Sequence, residues 1–164
     1  LLYAAEQQKG VFGFLFRQAL GHWRTFEIHL FDSGRQQIAR AKHPFRFYFQ
    51  RLEIESAQGA PLGIIEKRFS ILSKRFDVMD RHGKVILEVN SPLLKIWTFP
   101  FMRNGEEMAV VRKKWAGFLQ EGFLDADRFQ VEFSSSRLTD EEKLLVTVAG
   151  LFIDLKYFER KARR

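Results

Sequence analysis

The sequence predicts a mainly β domain with one C-terminal helix enclosed by its own sheet. Three observations carry that expectation. From Arg24 to Phe133 the chain runs in short alternating apolar–polar stretches divided by turn residues, roughly ten to twelve in all. The pattern then changes, and Lys143–Phe158 (KLLVTVAGLFIDLKYF) is helical in period and apolar almost all round. Finally, the strand region aligns with itself at a spacing near fifty residues, the mark of two related sheet modules.

Taken in order, Phe26, Ile28 and Leu30 alternate with Glu27 and His29, and Asp32-Ser33-Gly34-Arg35 turns the chain into Gln36–Lys42. Phe45, Phe47 and Phe49 alternate with Arg46 and Tyr48, then Leu52 and Ile54 with Glu53 and Glu55. Gln58-Gly59-Ala60-Pro61 breaks the run before Gly63–Arg68. The clearest hairpin is Arg75–Met79, Asp80-Arg81-His82-Gly83, Val85–Val89. Ser91-Pro92 precedes an aromatic strand at Leu94–Met102, ended by Arg103-Asn104-Gly105; Met108–Trp115, Phe118–Phe123 and Phe129–Phe133 follow. The repeat aligns 59–69 with 105–115, and the hairpin from Phe26 to Pro44 with that from Phe76 to Pro92. Two such half-shells closing around a centre would also remove exposed strand edges.

Thr139-Asp140-Glu141-Glu142 is a capping-box sequence, with acidic residues over the positive helix start, and Arg160, Lys161, Arg163 and Arg164 suit the negative end. Lys143, Thr147, Gly150 and Asp154 form one narrow stripe; the other positions from Leu144 to Leu155 are apolar. Either a bilayer or a protein interior could clothe such a helix. The apolar run gives roughly 18–24 Å of helix against a hydrocarbon core of about 30 Å. Asp154 at the centre of a lone span would cost on the order of 2.5–3.5 kcal/mol. Both favour the interior, with Asp154 as a buried charge paired to a wall cation or to its own stripe.

At 164 residues the chain reads as a single domain, and a 46% hydrophobic content with eighteen Phe excludes a disordered tail. The absence of Cys excludes disulfides, thiol nucleophiles, thiolate metal sites and acyl-thioester anchors, and fits a reducing, cytoplasmic compartment. Net charge +7 favours an anionic partner, a membrane surface or nucleic acid, although a basic soluble protein carries the same charge. No signal-peptide pattern or uninterrupted span is read.

Four stretches together resemble the phospholipid scramblase family, in its order and spacing: LLYAAE at 1–6, LEIESAQGAPLGII at 52–65, VVRKKWAGFLQEGFLDADRFQVEF at 110–133 and LFIDLKYFE at 151–159. The resemblance covers nearly the whole chain. It implies the tubby-like fold, a closed antiparallel barrel of about twelve strands around a C-terminal helix, here with barrel 1–134 and central helix 139–160. It implies a non-enzymatic, lipid-associated domain at the cytoplasmic membrane surface that mediates or regulates transbilayer phospholipid movement.

The chain departs from the family in lacking its acylated cysteine-rich stretches. In their place stand Phe12, Phe14 and Phe16, then Phe45, Arg46, Phe47, Tyr48 and Phe49, then Trp97 in Leu94–Phe99. Aromatic rings flanked by cations suit the headgroup boundary of an anionic phospholipid membrane, so direct aromatic insertion replaces acyl anchoring in this reading. The same alternation would equally line a barrel wall. The family's calcium loop falls on Asp125-Ala126-Asp127, but Phe129, Gln130 and Ser136 occupy positions where an EF-type loop needs a ligand, Gly and a bidentate acid. Asp125 and Asp127 make a weak calcium candidate beside the plainer reading of a strand-joining turn, and no other cofactor is implied.

Further chemistry is sparse. His22, His29, His43 and His82 lack metal-ligand spacing, and no phosphate-cradling loop, nucleophile elbow or small-molecule substrate site is evident. The basic clusters Lys67-Arg68, Lys74-Arg75 and Arg112-Lys113-Lys114 read as a solvated outer face. They also support the alternative of a soluble binding or regulatory module for nucleic acid or protein, without a recognised module to carry it.

Overall fold

The computed structural model describes residues 3–6, 26–44, 50–92, 97–114 and 128–157. Ten strands precede one helix: β1 (Tyr3–Glu6), β2 (Phe26–Phe31), β3 (Gln37–His43), β4 (Arg51–Ser56), β5 (Pro61–Arg68), β6 (Ser73–Asp80), β7 (Val85–Pro92), β8 (Thr98–Arg103), β9 (Glu106–Lys114), β10 (Arg128–Phe133) and α1 (Asp140–Tyr157). The strands pair in chain order, each antiparallel to the next, as a ten-stranded meander.

Local chemistry explains the meander. At the β6–β7 turn one Asp80 carboxylate oxygen accepts from the His82 and Lys84 amides at 2.9 and 3.0 Å. Gly83 sits there at φ +80°, a conformation that a Cβ would penalise. The Asp80–Gly83 hairpin therefore forms where the sequence places it. The aromatic strand starts later than read: β8 begins at Thr98, with Trp97 in the turn before it. The expected strands at Phe45–Phe49 and Phe118–Phe123 lie outside the described residues. Both pairs of aligned segments fall four strands apart, β5 with β9 and β2–β3 with β6–β7.

Alternation assigns one face of the sheet to the interior. Leu52 and Ile54, Phe76 and Val78, Leu87 and Val89, and Phe99 and Phe101 are all buried on it. The helix completes this core with Leu145, Val146, Val148, Ala149, Phe152 and Ile153. Its first turn is capped as predicted. The Glu142 amide donates to Thr139 Oγ1 at 3.2 Å, and the Thr139 amide to Glu142 Oε2 at 2.9 Å.

The placement of α1 requires a curled sheet. Leu145 lies against Gly63 of β5, Gly150 against Val111 of β9 and Val131 of β10, and Phe152 against His43 of β3 and Phe76 of β6. In a flat sheet β3 and β10 would stand seven spacings apart, roughly 34 Å, while a helix with its side chains is about 10–12 Å across. Only a sheet wrapped around the helix touches it from both. The described pairings end at β1 and β10, so ten strands are seen where about twelve were expected, without a closing pair among them.

The helix is therefore clothed by protein. Even Gly150, on the stripe read as polar, is buried, and the Thr147 hydroxyl is satisfied within the helix, donating to the Lys143 carbonyl at 2.8 Å. Among the described residues no helix is long and apolar enough to cross a membrane, which leaves open crossing by strands.

Candidate functional site

An antiparallel meander sorts its connections between two ends. At one end lie the tight turns after β2, β4, β6 and β8, together with the start of α1. Arg81 and Arg103 pin that helix start, reaching Glu141 and Glu142 at 2.5 Å each. Arg103 Nε also donates to the Ile86 carbonyl at 3.1 Å, so the arginine ties β8 to β7 as well as to the helix.

The opposite end gathers the other strand termini. Register places Phe26 beside His43, Arg51 beside Glu66, Arg68 beside Arg75, Ser73 beside Pro92, Thr98 beside Arg112 and Lys114 beside Arg128. From these termini depart the stretches that carry Phe12, Phe14 and Phe16; Phe45, Arg46, Phe47, Tyr48 and Phe49; and Asp125 and Asp127. Those residues themselves lie outside the described ones. The helix runs towards the same end, with Phe152 at the end of β3, so the backbone of Asp154 is in its last turns; its side chain is not described. The segments that carry these candidates, from Phe12 to Asp154, thus leave from or run towards one end of the sheet. Trp97, the described member of the set, is half-buried and packs against the core.

Within the basic clusters Arg68 and Arg75 are exposed on the outer face as expected, and Lys74 departs from that reading. Lys74 points inwards, 8% exposed, with its ammonium 5.1 Å from the centre of the Phe99 ring. Its position follows from alternation, since Lys74, Phe76 and Val78 share the inner face of β6. Arg68 pairs with Asp77 at 2.8 Å and Glu66 at 3.2 Å, and Arg112 pairs with Glu132 across β9 and β10. On β3 and β4, Arg40 and Lys42 both reach Glu55, at 2.6 and 2.9 Å. Lys42 first, then Arg40, hold the Glu55 carboxyl below the usual carboxylate range against the opposing effect of burial. Asp77 moves the other way: burial pushes its carboxyl up, outweighing the pull of Arg68. Among the described residues Arg40, Lys42, Arg68 and Arg112 are thus matched by carboxylates in cross-strand pairs. Among the described residues no group of His, Cys, Asp or Glu is placed to hold a metal ion.

Sequence reasoning passed over the β5–β6 connection. Phe69, Ile71 and Leu72 are 78%, 75% and 79% exposed at its tip, on the same end of the sheet as the strand termini from which the aromatic stretches depart. The available signal was compositional: three large apolar residues among the five between two basic pairs, where a turn is ordinarily polar.

Comparison with known proteins gives a consistent result. A family model described as Scramblase matches residues 1–160. Phospholipid scramblase 2 of Homo sapiens is 25% identical over 174 residues, covering 98% of this chain and 57% of that protein. Phospholipid scramblase 1 of Mus musculus is 25% identical over 158 residues, covering 88% and 48%. Altered inheritance rate of mitochondria protein 25 of Saccharomyces cerevisiae is 21% identical over 190 residues, covering 92% and 58%. The chain therefore spans about half the length of the curated relatives it matches. No solved structure matches.

Proposed function

The chain belongs to the Scramblase family, and from that premise we propose that it is a non-enzymatic lipid-associated domain that works at the surface of an anionic phospholipid membrane. The observation that carries this reading is the enclosure of α1. Leu145, Val146, Val148, Ala149, Phe152 and Ile153 are buried against the sheet, so contact with lipid falls to the outside of the domain. The end of the sheet from which the Phe12–Phe16 and Phe45–Phe49 stretches depart is the natural membrane-facing end, with Phe47 and Tyr48 as insertion candidates. Closure of the sheet into a tubby-like barrel of about twelve strands is the corresponding proposal for the fold.

Participation in transbilayer phospholipid movement is part of the proposal, as the names of the scramblase relatives indicate. A helix clothed by its own sheet offers no hydrophilic path for headgroups, so movement would arise from perturbation of the bilayer at the contact surface and not through the domain. Two measurements test the reading. Flotation with vesicles of phosphatidylcholine and phosphatidylserine should carry the wild-type chain and less of Phe47→Ala/Tyr48→Ala; failure of the wild type to float overturns membrane association. Dithionite quenching of labelled lipid in proteoliposomes should exceed the outer-leaflet fraction when the chain is present; equal quenching with and without it overturns the movement reading alone.

A further inference from the structure

The tip of the β5–β6 hairpin is built for a task that its own fold does not require. Phe69, Ile71 and Leu72 lie within four residues around the turn, each at least three-quarters exposed. Single exposed apolar residues are ordinary on a protein surface, but three large ones within four residues at a turn mark a contact site. The turn is held in shape, with the Ser70 and Ser73 hydroxyls hydrogen-bonded at 2.8 Å.

Immediately behind the tip, the last paired rung of the hairpin sets Arg68 directly opposite Arg75. Both side chains are exposed, on the outer face. Like charges facing each other across two strands destabilise the hairpin unless an anion lies between or beside them. Asp77 and Glu66 meet Arg68 from the body of the sheet. Lys67 stands on the same terminal rungs, so cations ring the base of an apolar point.

We propose that this tip is a membrane-insertion wedge: Phe69, Ile71 and Leu72 enter the acyl boundary of a bilayer while Arg68, Arg75 and Lys67 meet anionic headgroups. The wedge rests on the membrane-surface reading above and assigns it a site. Charge and size identify lipid as the occupant. A stable protein partner needs about 800 Å² on each side, well beyond a four-residue tip, whereas a bilayer requires no shape complement. The cationic collar complements an anionic surface, and the tip shares its end of the sheet with the strand termini that carry the Phe12–Phe16 and Phe45–Phe49 stretches.

The chain has no cysteine, so Ile71→Cys provides a unique attachment point for an environment-sensitive dye. Val85→Cys, at the opposite end of the sheet, is the control. On addition of equimolar phosphatidylcholine–phosphatidylserine vesicles, dye at position 71 should shift to the blue and become quenchable from the lipid phase, and dye at position 85 should not. Phe69→Ser/Ile71→Ser/Leu72→Ser, which removes only exposed side chains, should unfold at the wild-type temperature yet bind these vesicles about tenfold more weakly. Wild-type binding with an unchanged dye at position 71, or triple-variant binding within about twofold of wild type, overturns the wedge and leaves the membrane reading standing. Absence of wild-type binding overturns both. A shift that follows protein concentration without lipid assigns the tip to a second copy of the chain and overturns the wedge.

Discussion

Gly63 and Leu145 meet where the sheet comes nearest to the helix. A methyl group on Gly63 would stand 2.9 Å from Leu145 Cδ1 and 2.5 Å from the Met79 carbonyl oxygen. The second clash is with backbone of the neighbouring strand, which cannot rotate away. Gly63→Ala should therefore cost about 1–3 kcal/mol through overpacking, although Ala usually suits a strand better than Gly. Urea unfolding checks this, and a smaller side chain at position 145, Leu145→Ala, should recover little because Met79 remains.

Gly150 predicts the opposite sign. A Cβ there would meet Val111 Cγ1 and Cγ2 at 3.5 Å and Val131 Cγ2 at 3.8 Å, ordinary contact distances. Gly150→Ala should gain about 0.5–1 kcal/mol from helix propensity, or a few degrees in Tm. The Gly150 amide should also exchange slowly in plain buffer, at the rate of global unfolding; fast exchange would mean that the helix is not enclosed.

The N-terminus of α1 is secured twice, by the Thr139–Glu142 box and by the arginines of the tight turns. Thr139→Ala removes a single cap and should cost about 1 kcal/mol. Glu142→Ala should cost more than Thr139→Ala, because it also leaves Arg103 without its carboxylate partner. Thermal unfolding of the two variants ranks them.

Glu55 and Asp77 should give opposite pH signatures. The folded-state pKa of Glu55 is depressed, so its contribution is fully present above the ordinary carboxylate range and is lost as pH falls through the depressed value. Glu55→Gln should lower stability near neutral pH by about 1 kcal/mol, with the deficit vanishing in acid. The folded-state pKa of Asp77 is raised, so its ionised form is penalised by folding above that value and the penalty disappears as pH falls. Asp77→Asn should be as stable as wild type or more so near neutral pH, the two converging in acid. Tm measured across a pH series separates them.

Strand alternation and turn chemistry were legible because both are local. Leu52 and Ile54 face inwards for the reason their spacing states, and Asp80-Arg81-His82-Gly83 turns because Asp80 can cap two amides and Gly83 can adopt positive φ. The helix and its capping box were legible on the same terms. Lys74 was misread because a basic pair looks like surface, whereas alternation with Phe76 and Val78 turns its side chain inwards, where the Phe99 ring receives the ammonium. The apolar tip at Phe69–Leu72 was overlooked because an apolar turn looks like the fraying end of a strand until its exposure is known.

By itself the sequence determined which residues seek the interior, where the chain turns, and that α1 would need covering on nearly every side, since these follow from hydrophobicity and backbone preference at short range. Tertiary structure decided what does the covering and which ends meet. Curling of the meander brings β3 and β10 to one helix and sorts the connections so that distant stretches leave from the same end, and such long-range contacts depend on the closure of packed surfaces that no local pattern encodes.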